Sequence, residues 1–484
     1  MHARLTAAIL ALVGAVALTL PAGASARNQL GPNMFGIAAG GDIQNLSAAT
    51  LERELDVLDE VGARWLRIDI NWAQIQAQGP NSYNWGPIDR VVREAQERGI
   101  EVLGVIVWTP GWARPSGAQA SYGPDPDQYA AFAATAVEHY SALGVHAYEV
   151  WNEPNIQAFW TPKPNAAHYT RLLKAAYTAI KGADPNATVL TGGTAPATTD
   201  GTNVAPVEWL RRIYQNGGGR SFDAVSHHPY SWPAQPGAAE SWSAWHQMNG
   251  TSPSLRSVMR DNGDGAKKIW ATEYGAPTDG PSGSHVSEST QAQMIKKAYE
   301  LWSGYDWGGP LFAYEGRDYG TDRSTRENFF GLVRHDFSPK PAYHAYREAA
   351  EAAGGGSTEP GGEAAAGEVT ATEIVVKGNG RGKVKGRIRL RGQGRSARML
   401  FAVARAGARK VQLRLQRRLG GTWRTVSPVR RARVNGKGKF HRRLRSFKRR
   451  WPRPGRYRIR AYFPGSELAR PATTVSRAFK VRPR

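Results

Sequence analysis

The chain contains no cysteine among its 484 residues. Disulfides, thiol catalysis and cysteine metal sites are therefore excluded, and packing alone must hold the fold. Beyond the first 20 residues no apolar run is long enough to cross a membrane. Acidic residues are nearly missing from the final part. Residues 367–484 carry 36 lysines and arginines, and only Glu368, Glu373 and Glu467 oppose them. That segment has a net charge of +33 in a chain whose total is +24, so the remainder is −9. Two such compositions in one chain argue for two domains. The acid-poor segment also lacks the mixed signs of an ordinary solvated face.

What is present begins with an address. Met1 to Arg4 is a short positive start, Leu5 to Leu20 is apolar, and Ala24-Ser25-Ala26 is a small-residue cleavage site. Residues 1–26 read as a signal peptide cut after Ala26. The expectation is a secreted, extracellular protein, held at the cell surface if its basic end docks there.

The chemistry centres on Tyr148-Glu149-Val150-Trp151-Asn152-Glu153-Pro154. Val145 to Trp151 reads as a buried strand that Pro154 stops. Asn152 and Glu153 then sit where a strand leaves its sheet, which is where parallel α/β folds place their chemistry. A carboxylate there is costly to desolvate, and the same desolvation makes it a usable acid. Lys268 to Gly275 repeats the pattern, with Glu273 at the strand end. The two glutamates are 120 residues apart, three strand–helix units at about 40 residues each. Glu153 then ends strand four and Glu273 strand seven. Two glutamates facing each other across a barrel mouth suit cleavage of a glycosidic bond.

Trp151-Asn152-Glu153-Pro154 followed by Glu273 resembles the retaining glycoside hydrolases of clan A, most nearly family 39 and its cellulase-like relatives. The likeness covers roughly residues 34 to 350. It implies Glu153 as acid/base and Glu273 as nucleophile. It implies that Asn152 bonds the sugar 2-hydroxyl, that Arg67 lies near the nucleophile, and that His228 and Tyr230 form the element beside it. Tyr314 stands where the clan often has an aromatic after strand eight. Asp69 and Glu149 read as buried partners of Arg67 or its neighbours. His227 and His228 point to opposite faces of a strand, so no zinc site follows and no cofactor is called for. Trp108, Trp112, Trp160, Trp232, Trp242 and Trp245 lie at or beyond strand ends and together suggest a carbohydrate cleft.

Alternating apolar strands and amphipathic helices from Phe35 to Ala353 predict a (β/α)8 TIM barrel in residues 27–351. Residues 352–368 read as a flexible linker. In residues 369–484 the period changes to two, as in Arg387-Ile388-Arg389-Leu390-Arg391 and Tyr457-Arg458-Ile459-Arg460. That predicts an antiparallel β-sandwich, and Gly455 to Gly465 resembles bacterial immunoglobulin-like modules. The expected function is a secreted, metal-independent retaining glycosidase acting on a polysaccharide or oligosaccharide. The expected partner of the basic domain is an anionic cell-wall polymer or acidic polysaccharide; nucleic acid would bind only non-specifically. The competing reading is a non-catalytic carbohydrate-binding protein at the cell surface. Both readings keep the aromatic cleft, and only the enzyme needs both glutamates.

Overall fold

Short runs rich in Val, Ile and Leu become eight strands: β1 (Phe35–Ala38), β2 (Trp65–Asn71), β3 (Glu101–Val107), β4 (Ala147–Asn152), β5 (Thr188–Gly193), β6 (Ala224–His227), β7 (Lys268–Tyr274) and β8 (Gly308–Tyr314). They close into a barrel in sequence order, with β8 paired in parallel to β1. The computed structural model describes residues 31–354 throughout and, beyond them, the backbone of strands between 371 and 481. The chain divides into two units, Met1–Gly356 and Ser357–Arg484.

Helices cover the barrel with apolar stripes. In Ala48–Val61 the stripe is Leu51, Leu55 and Leu58, one face at helical spacing. Ser47 caps its start by accepting from the Thr50 amide, and Gly62 ends it at φ 87°, a conformation cheap only for glycine. The outward strand residues Leu66, Ile68 and Ile70 pack into the same core. Inside the barrel, Leu103, Ala147, Leu190, Trp270 and Phe312 form a floor against Trp65. Gly36 makes room for it: a Cβ there would lie 2.4 Å from the Phe312 ring. Above the floor the inward residues turn polar. Trp65 is followed on the same face of β2 by Arg67, Asp69 and Asn71.

Several details differ from the sequence reading. β6 ends at His227, two residues before Pro229, which cannot donate to a neighbouring strand. Short helices at Trp72–Ile75, Ala244–Gln247 and Leu255–Asp261 were not expected. The first two are a single turn each, too short to show a period. The closing helix, Pro341–Gly354, runs into the expected linker, because Ala352 and Ala353 are strong helix formers. The rest of that linker, and residues 1–30, lie outside the described residues.

The described strands of the second unit pair antiparallel in two sheets. One has the order 439–443, 383–391, 371–378. The other has the order 422–425, 410–419, 455–463, 472–475, with 430–433 beside 410–419 and 479–481 beside 455–463. Among the described residues no helix is long and apolar enough to cross a membrane.

Candidate active site

Arg67 is the hub of the barrel mouth. Its side chain is 5% exposed, and its Nε donates to Glu149 at 2.8 Å. Nη1 donates to Glu273 Oε1 at 2.7 Å, and Nη2 to Asn152 Oδ1 at 2.7 Å. One planar guanidinium from β2 thus fixes side chains from β4 and β7. Glu149 is fully buried and takes further donors from the Gly193 amide at 2.6 Å and the Ser226 hydroxyl at 3.0 Å. A buried carboxylate needs such company.

Glu153 stands opposite. His228 Nδ1 lies 2.8 Å from Glu153 Oε1 and 3.5 Å from Glu273 Oε2. Tyr230 donates its hydroxyl to Glu273 Oε2 at 2.9 Å. His228 Nε2 is buried without a partner. An orphaned lone pair costs less than an orphaned N–H, so the proton of the neutral ring belongs on Nδ1, facing Glu153. Burial lowers the His228 pKa and favours that neutral ring. Gly193 provides the space, since a Cβ there would lie 2.3 Å from His228 Nε2.

Simple alternation along β4 would send Asn152 and Glu153 to opposite faces. Both line the same cleft. The pleat is broken at Trp151, with φ 74°, and Glu153 follows at φ 46°. Neither is glycine, so the backbone is held in a sparsely populated region by its surroundings. The Glu153 amide donates to Gly193 O at 2.9 Å, and buried Trp151 donates its indole N–H to Phe159 O at 2.7 Å.

The two glutamates lie in a cleft of about 870 Å³. Single oxygens of Glu153 and Glu273 and a ring nitrogen of His228 all lie within 4.8 Å of one another. Among the described residues this trio is the one group whose atoms could ligate a cation. Arg67 already places a fixed positive charge 2.7 Å from Glu273, which opposes a metal there. Burial pushes Glu153 up to about 8, against the pull of Arg67. Burial also raises Glu273, while His228, Arg67 and Tyr230 pull it back. Burial raises both carboxyls, and the direct bonds from Arg67 and Tyr230 favour the ionised form of Glu273.

Residues 28–310 match the family described as Cellulase (glycosyl hydrolase family 5). The chain belongs to glycosyl hydrolase family 5. It is thereby a clan A glycoside hydrolase, a member of the group that breaks glycosidic bonds. A family 39 glycoside hydrolase from Bacteroides cellulosilyticus WH2 shares the fold at a TM-score of 0.54 and 20% identity, covering 86% of this chain and 80% of that one. A GH5_18 protein from Streptomyces cattleya, solved in complex with GlcNAc, aligns at 0.49 and 17% identity over 67% and 81% of the two chains. An endo-beta-1,4-mannanase from Thermotoga petrophila aligns at 0.46 and 15% identity over 93% and 98%. No curated protein matches the chain.

In this family 5 hydrolase the cleft is lined by Arg67, Trp108, Asn152, Glu153, Tyr230, Glu273 and Tyr314, all singled out in the sequence. His228 sits behind them, bonded to Glu153. Trp232 and Trp242 also line the cleft. Three of the six tryptophans expected at the cleft are elsewhere. Trp160 is 1% exposed and packs edge-on against Trp151 and Tyr169. Trp112 is surface-exposed, packs on Trp72 and donates to Gln76 O at 2.8 Å, outside the cleft lining. Trp245 is likewise core, against Tyr274 and Trp302. Glu149 pairs with Arg67 as expected, whereas Asp69 instead accepts from Trp108 Nε1 at 2.9 Å. His227 is buried and bonded to Thr194 and Ala244, away from the glutamates. Asp318, which follows β8, is buried in an ion pair with Lys340 at 2.6 Å. Sequence reasoning missed Asp42, Asn71, Gln74, Arg326 and Glu327 as lining residues. Gly40-Gly41-Asp42, one residue after β1, was the available signal, since a glycine pair before a polar residue marks a strand-end loop.

Proposed function

We propose that this family 5 hydrolase is a retaining glycosidase that cleaves O-glycosidic bonds in a polysaccharide or oligosaccharide by double displacement. One observation carries the reading: oxygens of Glu153 and Glu273 approach within 4.8 Å. Retaining pairs stand about 5–5.5 Å apart between carboxyls, and inverting pairs about 6.5–9.5 Å. Glu153 protonates the leaving oxygen while Glu273 Oε2 or Oε1 attacks the anomeric carbon and the glycosidic C–O bond breaks. Arg67 and Tyr230 hold Glu273 ionised and aimed. His228 donates to Glu153 Oε1 and stabilises the carboxylate left after proton transfer. Water then attacks the glycosyl ester, giving its proton to Glu153, and the sugar leaves with its configuration retained.

The test is Glu273→Ala assayed with an aryl glycoside, with and without azide. Turnover should vanish, and azide should restore it in part as a glycosyl azide of inverted configuration. Wild-type rates in that variant would remove the nucleophile assignment.

The reading extends to the ends of the chain. Residues 1–26 would direct export, which mass measurement of the mature N-terminus checks. Residues 369–484 would form an immunoglobulin-like sandwich whose +33 segment tethers the enzyme to an anionic polymer. Co-sedimentation with such a polymer should weaken steeply with salt, and removing residues 367–484 should abolish it. Equal retention of the truncated protein would rule the tether out.

A further inference from the structure

The cleft carries its charge unevenly. Beyond Glu153 and Glu273 its walls hold Asp42, Asp69 and Glu327, against Arg67 and Arg326. Both arginines already have partners. Arg67 is paired with Glu149 and Glu273. Arg326 donates from Nε to Glu327 at 3.3 Å and rests over the Trp232 ring, 5.1 Å from its centroid.

Asp69 has no cation in contact. Its Oδ2 accepts from Trp108 Nε1 at 2.9 Å, and its Oδ1 takes no hydrogen bond from a described residue. It lies two residues beyond Arg67 on the inward face of β2, one step nearer the mouth. The loop after β1 lies against it: a Cβ on Gly41 would stand 3.2 Å from Asp69 Oδ2. That loop adds Asp42, whose carboxylate takes only neutral donors, Asn45 Nδ2 at 2.9 Å and the Tyr319 hydroxyl.

Resting on the glycosidase reading, we infer that the cleft takes sugars free of anionic substituents where they meet Asp69, and that Asp69 determines this specificity. A uronate or sulfate entering the cleft loses water and needs a cation in exchange. Here it meets a second carboxylate, a strongly unfavourable juxtaposition. A neutral sugar meets the opposite situation. Its hydroxyl donates to Asp69 Oδ1, the oxygen that Trp108 leaves open. The neighbouring lining residues Asn71 and Gln74 are uncharged amides suited to hydroxyls. An acidic polymer that met the basic C-terminal segment would then be an anchor and not the substrate.

The experiment uses the full chain and paired substrates that differ only at the carboxyl. These are aryl hexosides against the matching aryl hexuronides, and acidic polysaccharides against their carboxyl-reduced forms, in both anomeric series. The expected kcat/KM ratio favours the neutral member by at least about 10-fold at low salt. Added salt should narrow the ratio by screening. Asp69→Asn keeps an oxygen for Trp108 Nε1 and should also narrow it, which a purely structural role would not do. Equal or preferred cleavage of the uronides, with Glu273→Ala inactive, overturns the inference while the glycosidase reading stands. A ratio unmoved in Asp69→Asn overturns the assignment to Asp69. Absence of cleavage across the whole panel overturns the glycosidase reading and this inference with it.

Discussion

Arg67 and Glu273 are 206 positions apart in sequence, and their side chains meet at 2.7 Å. The bond joins β2 to β7 across the barrel and favours the ionised form of the carboxylate proposed as nucleophile. Arg67→Lys keeps the charge but cannot reach Glu149, Glu273 and Asn152 together. It should lower kcat on an aryl glycoside by at least about 100-fold. Breaking a buried pair typically costs about 3–5 kcal/mol, so chemical denaturation should show a loss of that order. Near-wild-type kcat in Arg67→Lys would mean the bond does not position the nucleophile.

The second expectation is a pH dependence. Glu153 is an acid pushed up to about 8 by burial, so the folded chain binds more protons than the unfolded one between the ordinary carboxylate value and about 8. Its contribution to stability is therefore fully present at low pH and is lost as pH rises through that window, by at most about 1.4 kcal/mol per pH unit. Activity follows the same sign, and kcat/KM should fall on the basic side near 8 as Glu153 deprotonates. Glu153→Gln should abolish the basic limb of the rate profile and flatten the stability profile. Persistence of both in the variant would assign them to another group.

Gly193 tests the packing behind the site. An added methyl would come 2.3 Å from His228 Nε2 and 2.8 Å from Glu149 Oε1. Gly193→Ala must displace one of them. Overpacking of this kind costs about 1–3 kcal/mol, and the displaced His228 should shift the basic limb that Glu153 sets. Thermal melts and a pH–rate profile on the same sample read both effects.

The tryptophans divide by position. Trp160→Ala removes a fully packed ring and should cost about 3–5 kcal/mol in stability. Trp232→Ala removes a cleft wall that also carries Arg326. It should leave the melting temperature within a few degrees and raise KM for longer substrates. The reverse pattern would exchange their roles.

The eight strands and both glutamates were legible because each strand is a compact apolar run and each glutamate stands at the end of one. Asn152 was legible from its motif, yet the way it reaches the cleft was not. Period-two reasoning assumes extended backbone, and the positive φ at Trp151 and Glu153 has no sequence signal in non-glycine residues. Trp160 and Trp232 look alike in sequence, since both are aromatics just beyond a strand. The difference is tertiary: Gly123 seats the Trp160 ring, where a Cβ would stand 2.5 Å away, whereas the Trp232 ring faces the cleft. Glu327 reaches the cleft from a single 3-10 turn, Arg326–Phe329, too short to show a period, and residue spacing could not place Trp108 against Asp69.

Followed outward from Arg67, the buried bonds run through Glu149 to Gly193 on β5 and Ser226 on β6, and through Glu273 to β7. The reactive centre is thus a keystone and the strands are its arch. No half of the barrel contains a working fraction of it, because each half holds charges whose partners lie in the other. A chain still threading, unfolded or half assembled has nothing with which to cut sugar, and the hydrolase becomes armed only at the moment its barrel closes.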